Sequence, residues 1–183
     1  MDQNPVVGQF INPEQLLIKF GLKENMHVAD FGIGSGYFAI IMAKIVGENG
    51  SVAALDILEA PLEVVKDKAE LEGLENIKFI RGDLEAERGS TLDDSSLDFV
   101  LLANTLYQSE QKDKMIKEAA RVLKVGSRLV VIDWKKDLDT LGGPPEEFRA
   151  DAEDVKRIAQ AVGLNLIDEF EAGQYHYGIT FSK

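Results

Sequence analysis

The clearest indication of the fold of this 183-residue chain is one short stretch, Val28-Ala29-Asp30-Phe31-Gly32-Ile33-Gly34-Ser35-Gly36-Tyr37-Phe38. It opens with an apolar run interrupted by one acid, which predicts a buried β-strand at 28–31. Three glycines at alternate positions follow, as in a tight loop. Residues 37–46 are then apolar on almost every side until Lys44, as in a helix that packs against the middle of a sheet. The stretch therefore predicts a strand, a glycine loop and a helix in succession.

The same alternation continues along the chain and indicates an α/β architecture with a parallel sheet. Helix signals are Asn12-Pro13 near the start, Pro61, and Asp151 before the last helix. The further strands predicted are 51–56, 77–80, 97–103 and 128–133. The predicted helices end near Gly21, Gly73, Gly126 and Val162. All of residues 1–183 are expected to form one domain.

Two features near the end of the chain depart from that alternation. Residues 135–150 contain Gly142-Gly143-Pro144-Pro145, which no helix or central strand tolerates, so a surface loop is predicted there, suited to a lid or a rim. Two last strands, at 165–170 and 174–181, are separated by only three residues. That spacing predicts an antiparallel hairpin.

Composition disfavours several classes of protein. Apolar residues make up 45% of the chain and charged residues 28%, as in folded domains. Cysteine is absent, which removes disulfides, thiolate metal sites and thiol nucleophiles. The formal net charge of -12 disfavours nucleic acid as a partner, although a segregated basic face would overrule the total. With no secretion signal and no apolar span for a membrane, a cytoplasmic location is expected, and no metal site is predicted.

Polar side chains stand at or just beyond the ends of the first five predicted strands. In chain order they are Asp30, Asp56, Asp83, Asn104 and Asp133. Parallel strands end at one edge of a sheet, and ligands of open α/β sheets bind in the crevice beyond that edge. A single acid after a strand is commonly a solvated turn former, but five polar residues on one edge predict a binding site.

The glycine loop narrows the choice of ligand. A dinucleotide fingerprint needs a third glycine where the chain has Tyr37, and no lysine follows the glycines as a phosphate loop requires. Asp30 at the mouth of the loop would repel pyrophosphate and attract an ammonium group. Asp56 is placed to accept both hydroxyls of a ribose, and Asp83 lies one strand further, near an adenine amino group. An amino acid, a sugar and a base in that order describe S-adenosylmethionine (SAM).

With these residues the chain resembles the class I SAM-dependent methyltransferases, in the subgroup of ubiquinone and menaquinone biosynthesis enzymes. The glycine-rich stretch is similar to the first motif of that family. The later motifs resemble Ala54-Leu55-Asp56-Ile57, Arg81-Gly82-Asp83-Leu84 and Asn104-Thr105-Leu106-Tyr107. Residues 121–129 are similar to the family's R-V-L-K-P-G-G-x-L, with Val125 and Ser127 as departures that affect a turn.

That resemblance implies a Rossmann-like, three-layer α/β sandwich. The sheet would have seven mostly parallel strands in the order 3-2-1-4-5-7-6, with strand seven antiparallel. The resemblance also implies SAM as the cofactor and S-adenosylhomocysteine as its product. The cofactor-binding residues would be Asp30, Gly32, Gly34, Asp56, Ile57, Asp83, Leu84 and Asn104.

The acceptor side is less determined by the sequence. A general base is needed only if the acceptor must lose a proton, and Tyr107, Asp133 and His176 are the candidates, with packing or ordinary hydrogen bonding as the competing interpretation. A small-molecule acceptor is expected. One alternative is an RNA or protein acceptor, which requires the basic residues between 112 and 136 to gather beside the cleft. The other is a SAM-binding module without catalysis.

Overall fold

The structure is a computed structural model that describes residues 13–136 and 143–183. Its strands are β1 His27–Phe31, β2 Ser51–Asp56, β3 Ile77–Arg81, β4 Leu97–Ala103, β5 Leu123–Trp134, β6 Asn165–Glu171 and β7 His176–Ser182. Its α-helices are α1 Pro13–Lys19, α2 Tyr37–Val46, α3 Glu59–Leu71, α4 Lys112–Val122 and α5 Ala152–Ala161. The strands form one sheet in the order β3-β2-β1-β4-β5-β7-β6, which confirms the predicted topology.

The pairing of the strands brings the loops of interest to one edge. β1 lies between β2 and β4 and pairs with both in parallel. β3 and β5 extend the parallel sheet on either side. β7 runs antiparallel between β5 and β6, as the predicted hairpin requires. The carboxyl ends of β1 to β5 therefore meet along one rim.

Helices cover both faces of the sheet and hold that rim in place. On one face α1, α2 and α3 bury Leu17, Met42 and Val65 against the strands. On the other face α4 and α5 bury Ile116 and Val155. Each apolar side chain of this size contributes about 2 kcal/mol to folding by leaving water. Since both faces are covered, β1 and β4 are buried along most of their length.

The boundary between α4 and β5 differs from the prediction. The helix was expected to end at Gly126, but it ends at Val122 and the strand begins at Leu123. Leu123 pairs with Leu97 of β4, and its carbonyl accepts a 2.7 Å hydrogen bond from the Lys183 Nζ. Pairing with a distant strand thus overrides the helical periodicity of the local sequence.

The predicted helix signals and the predicted surface loop have different outcomes. The Asp151 side chain accepts from the Glu153 amide at 2.8 Å and caps α5 as predicted. The predicted cap Asn12 and part of the loop, residues 137–142, lie outside the described residues. The described part of that loop contains one 3-10 turn, Glu146–Phe148. Within the described ranges no helix is both long and apolar enough to cross a membrane.

Candidate functional site

A cavity of about 670 Å³ opens at the carboxyl-terminal rim of the sheet. Its walls come from the loops that follow β1, β2, β3 and β4, and its volume is typical of a site for a small-molecule ligand. All the residues predicted to bind a cofactor line it, namely Asp30, Gly32, Gly34, Asp56, Ile57, Asp83, Leu84 and Asn104. The fold therefore brings these scattered positions together in one place.

The glycine loop after β1 is fixed to the end of β2. The amides of Gly32 and Ile33 both donate to the Leu55 carbonyl, at 2.9 and 2.7 Å. Gly32 has a φ of +86°, and a Cβ atom there would lie 2.5 Å from the side chain of Thr105. Backbone conformation and lack of space both exclude a larger residue at this position. The loop backbone can therefore approach a ligand closely.

Asp30 is a buried carboxyl group in the wall of the cavity, with only 2% of the residue exposed. Burial raises its pKa to about 8. A hydrogen bond from the Ala39 amide opposes that rise, and the negative charge of Asp56 adds to it. A cation placed beside this carboxyl would stabilise its ionised form. The position therefore suits an ammonium group.

Asp56 is held at the end of β2 by two backbone amides. Its Oδ2 accepts from the Gly34 amide at 3.3 Å, and its Oδ1 accepts from the Leu58 amide at 3.0 Å. A carboxylate oxygen has two lone pairs, so each oxygen keeps one acceptor site. The side chain is thus fixed in place and can still accept two hydroxyl donors.

Asp83 and Leu84 lie on a tightly folded segment after β3. The exposed Asp83 accepts the Glu85 amide at its Oδ1, at 2.9 Å, and Leu84 is buried. A Cβ atom at Gly89 would lie 1.7 Å from the Asp83 carbonyl oxygen, so the segment closes on itself only with glycine there. Ile57, which is 56% exposed, also lines the cavity. Two apolar side chains and a carboxylate suit a flat base that carries an amino group.

Asn104 combines backbone strain with an unpaired acceptor. Its φ of +55° lies in the left-handed region, which costs most residues other than glycine about 1 kcal/mol or more. Its amide donates to the Ile132 carbonyl at 2.8 Å, and its carbonyl accepts from Gln108 Nε2 at 3.0 Å. Its Oδ1 is buried and finds no hydrogen-bond partner among the described residues. Strain together with an unsatisfied polar atom is typical of a ligand-binding position.

Asp133 does not line the cavity. The residue is fully buried, and its carboxylate accepts from the amides of Leu106, at 3.0 Å, and Trp134, at 2.8 Å. Burial raises its pKa to about 6, against hydrogen bonds from these amides and from that of Tyr107. The carboxylate thus supports the turn that carries Tyr107, and a role for Asp133 as a base stays a prediction.

The other two catalytic candidates are placed differently. Tyr107 lines the cavity from the 3-10 turn Leu106–Gln108. His176 lies outside the lining, on β7, with its ring centroid 4.2 Å from that of Trp134. Burial lowers the pKa of His176, and the charge of Lys135 adds to this effect. Of the three candidates, only Tyr107 reaches the cavity.

The cavity is acidic. Its described lining contains the carboxyl groups of Asp30, Asp56, Asp83 and Glu85, and no lysine, arginine or histidine. In the described ranges no three acidic, histidine or cysteine side chains are grouped to hold a metal ion. The field of such a wall favours a cationic ligand.

Two comparisons decide the family of the chain. A family model described as a methyltransferase domain matches residues 22–177, which include every cavity residue described above. The crystal structure of a SAM-dependent methyltransferase from Aquifex aeolicus has a TM-score of 0.85 to this fold at 32% sequence identity. That match covers 94% of this chain and 89% of the other. The chain belongs to the class I SAM-dependent methyltransferases.

Curated relatives of this methyltransferase agree with the predicted subgroup. The ubiquinone/menaquinone biosynthesis C-methyltransferase UbiE of Haemophilus ducreyi is 34% identical over 119 residues, which is 64% of this chain and 45% of that protein. The enzyme of the same name from Pseudoalteromonas translucida is 32% identical over 123 residues, 67% of this chain and 48% of that protein. The chain thus spans about half the length of the curated relatives it matches.

Three residues that shape the cavity of this methyltransferase were not assigned a role from the sequence. Thr105 donates from its hydroxyl to the Phe31 carbonyl at 2.9 Å and packs over Gly32. Glu85 accepts from the Ser109 hydroxyl at 2.6 Å. These contacts join loops that are distant in the sequence, so strand and helix periodicity carries no signal for them.

Proposed function

We propose that this methyltransferase binds SAM in the acidic cavity and transfers its methyl group to a small-molecule acceptor. The observation that carries the proposal is the charge of the cavity, where the buried Asp30 and three further carboxyl groups meet no basic side chain in the described lining. Residues 1–12 and 137–142 contain no lysine, arginine or histidine either. A phosphate would be repelled there without compensation, whereas the sulfonium and the ammonium of SAM are both cations.

Different residues would hold the three parts of SAM. Asp30 and the unpaired Oδ1 of Asn104 suit the ammonium of the methionine part. The free acceptor sites of Asp56 suit the two ribose hydroxyls. The adenine would be held by Ile57, Asp83 and Leu84. The acceptors on the cavity wall therefore suit the ammonium, the ribose and the adenine of the cofactor.

The main contribution of the protein to the reaction would be to align the acceptor with the methyl group of SAM. When bound, SAM supplies an electrophilic methyl group. Asp133 accepts hydrogen bonds from the amides of the turn that carries Tyr107, and Tyr107 lines the cavity three residues after Asn104. We assign Tyr107 to orienting the acceptor, since holding two reactants in position can supply several kcal/mol of rate enhancement.

A small acceptor is favoured over RNA or protein. Of the basic residues that a large anionic acceptor would need, Arg121, Lys124 and Lys135 each pair with a carboxylate. The formal net charge of -12 also disfavours attraction of a phosphate backbone. The relatives named for ubiquinone and menaquinone biosynthesis also support a small acceptor.

Titration calorimetry with SAM and with S-adenosylhomocysteine tests cofactor binding. We expect Asp56→Ala to weaken the binding free energy of both ligands by about 1 to 3 kcal/mol, because two charge-assisted hydrogen bonds to the ribose are lost. The exposed Asp67 on α3 gives a matched control, and Asp67→Ala should leave the dissociation constant unchanged. An unchanged value for Asp56→Ala would mean that the ribose lies elsewhere. Failure of the unaltered protein to bind SAM would overturn the proposal.

A transfer assay tests the reaction and the class of acceptor. Cell extract is divided into metabolite, RNA and protein fractions, and each is incubated with the protein and methyl-labelled SAM. Label in the metabolite fraction is the expected result. Label only in RNA or protein would contradict the small acceptor, and SAM binding without transfer to any fraction would indicate a non-catalytic module.

A further inference from the structure

Two segments that shape the cavity start far apart on the sheet and are joined by one side chain. They follow β3 and β4, which are separated by β2 and β1 in the strand order. At the usual spacing of neighbouring strands this separation is about 14 Å. The segments nevertheless meet, because residues 82–90 fold back toward the loop that leads into α4.

Glu85 makes the connection with both of its carboxylate oxygens. Its Oε1 accepts from the Ser109 hydroxyl at 2.6 Å, and its Oε2 accepts from Gln111 Nε2 at 2.7 Å. The Ser109 hydroxyl in turn accepts a hydrogen bond from the backbone amide of Gln111 at 2.8 Å, so the three residues form a connected set. Hydrogen bonds to a carboxylate are about twice as strong as neutral ones. We call Glu85, Ser109 and Gln111 the Glu85 bridge.

A second anchor holds the far end of the same segment. The amide and the hydroxyl of Ser90 both donate to Glu118 Oε1 on α4, at 3.0 and 2.5 Å. Glu118 is 5% exposed, so this anchor is shielded from water. The segment that carries Asp83 and Leu84 is therefore tied to α4 through Ser90 and to the loop before α4 through Glu85. Its shape is set before a ligand arrives.

We infer that Glu85 is a positioning residue for the adenine end of the cofactor site, an inference that rests on the proposed function. Through the bridge it fixes Asp83 and Leu84 on one side and Ser109 on the other, and Glu85 and Ser109 both line the cavity. Both oxygens of Glu85 are already bonded to the protein, so its role is to hold the wall. A wall that is ordered in advance saves the entropy of ordering it during binding.

The substitution Glu85→Gln tests the inference. It replaces one acceptor oxygen with an NH₂ group, which cannot accept a hydrogen bond from the Ser109 hydroxyl or from Gln111 Nε2. We expect the dissociation constants for SAM and S-adenosylhomocysteine to weaken equally, by about 5- to 30-fold, because both ligands carry the same adenosine. The KM for SAM should rise by a similar factor, while kcat at saturating SAM stays unchanged.

Two matched variants separate positioning from a general loss of structure. The exposed Glu87 lies in the same segment, and Glu87→Gln should bind SAM as the unaltered protein does. Combining Glu85→Gln with Gln111→Glu exchanges the amide and the carboxylate and restores a bond of reversed polarity. That exchange should recover the dissociation constant to within about threefold of the original. Gln111→Ala removes a single bond from an exposed residue and serves as the milder variant if Glu85→Gln does not fold.

Hydrogen exchange without any ligand gives a readout that does not depend on SAM. Amides of residues 83–90 should exchange faster in Glu85→Gln and return toward the original rate in the exchange variant. If the unaltered protein binds no SAM, the proposed function fails, and the exchange rates still test the bridge. Unchanged exchange and an unchanged dissociation constant in Glu85→Gln, or no recovery in the exchange variant, would overturn the inference.

Discussion

Asp30 and Asp133 make an instructive pair. Each stands at the carboxyl end of a central strand, each is buried, and burial raises the pKa of each, to about 8 and about 6. They differ in how many backbone amides donate hydrogen bonds to the carboxyl group. Asp30 faces the cavity with one amide donor, that of Ala39, whereas Asp133 lies outside the lining with amide donors at Leu106, Tyr107 and Trp134.

On this difference we propose a ligand-binding role for Asp30 and a structural role for Asp133. A buried carboxylate that backbone amides already satisfy has little capacity left for a ligand. One that is buried with a single donor remains poorly solvated until a cation arrives. Position at a strand end predicts the rim of the sheet, and we infer the role of each acid from the number of its donors.

The largest effect is expected for Asp133→Ala. The substitution leaves the amides of Leu106 and Trp134 without acceptors in the interior and creates a void. We expect the free energy of unfolding to fall by about 3 to 5 kcal/mol, since each unsatisfied buried donor costs about 1 to 3 kcal/mol. Urea denaturation of the protein without ligand measures it.

Asp133→Asn is the matched control for that variant. It keeps one acceptor oxygen in place and should cost about half as much as the alanine substitution. A loss below 1 kcal/mol for Asp133→Ala would show that these amides do not depend on the carboxylate, and the contrast with Asp30 would then fail.

A smaller effect is expected at Asp30, where the ionised carboxyl lowers the free energy of unfolding at high pH and Asp30→Asn removes that loss. Its pKa is raised in the folded state, so folding favours the protonated carboxyl. The resulting stabilisation is fully present below the unfolded pKa of about 4 and is lost as pH rises through about 8. Relative to Asp30→Asn, the free energy of unfolding of the original protein should therefore fall by on the order of 1 to 3 kcal/mol between pH 4 and pH 8.

The comparison with Asp30→Asn isolates one group, because Asp133 titrates in both proteins. Urea denaturation at several pH values, without ligand, gives the measurement. Saturating SAM should reduce the loss at pH 8, since an ammonium beside Asp30 stabilises its ionised form. Parallel pH profiles for the two proteins would show that Asp30 does not titrate as the structure indicates.

The smallest effect concerns Asn104, which lies on the loop between the two acids. Asn104→Gly relieves a φ of +55° and should raise the free energy of unfolding by about 0.5 to 1 kcal/mol while weakening SAM binding, because the unpaired Oδ1 is removed. Asn25 has a similar φ of +65° and does not line the cavity. Asn25→Gly should stabilise the protein without changing the dissociation constant for SAM. Equal binding by both variants would contradict a ligand role for Asn104.

The strands and the rim could be predicted from local sequence signals, and the sheet order from the resemblance to the methyltransferase family. Strand periodicity and the polar residues at strand ends are local signals, and they located Asp30, Asp56 and Asn104 at the cavity. They could not show which way Asp133 faces, because alternate residues of a strand point to opposite faces and the sequence does not say which face β5 turns toward the cavity. Nor could they reveal the Glu85 bridge, which forms only after a loop folds back across the rim.

The acidic wall of the cavity also bears on competition between ligands inside a cell. ATP and the dinucleotides share adenine and ribose with SAM and differ from it in carrying phosphates. A pocket that recognised only the shared nucleoside would be occupied by these compounds. Repulsion of phosphates by Asp56, Asp83 and Glu85 acts before any atoms touch, whereas Asp30 is protonated until a cation lies beside it. The charge of the wall thus disfavours nucleoside phosphates, and the shape of the pocket would then discriminate among the cationic and neutral nucleosides.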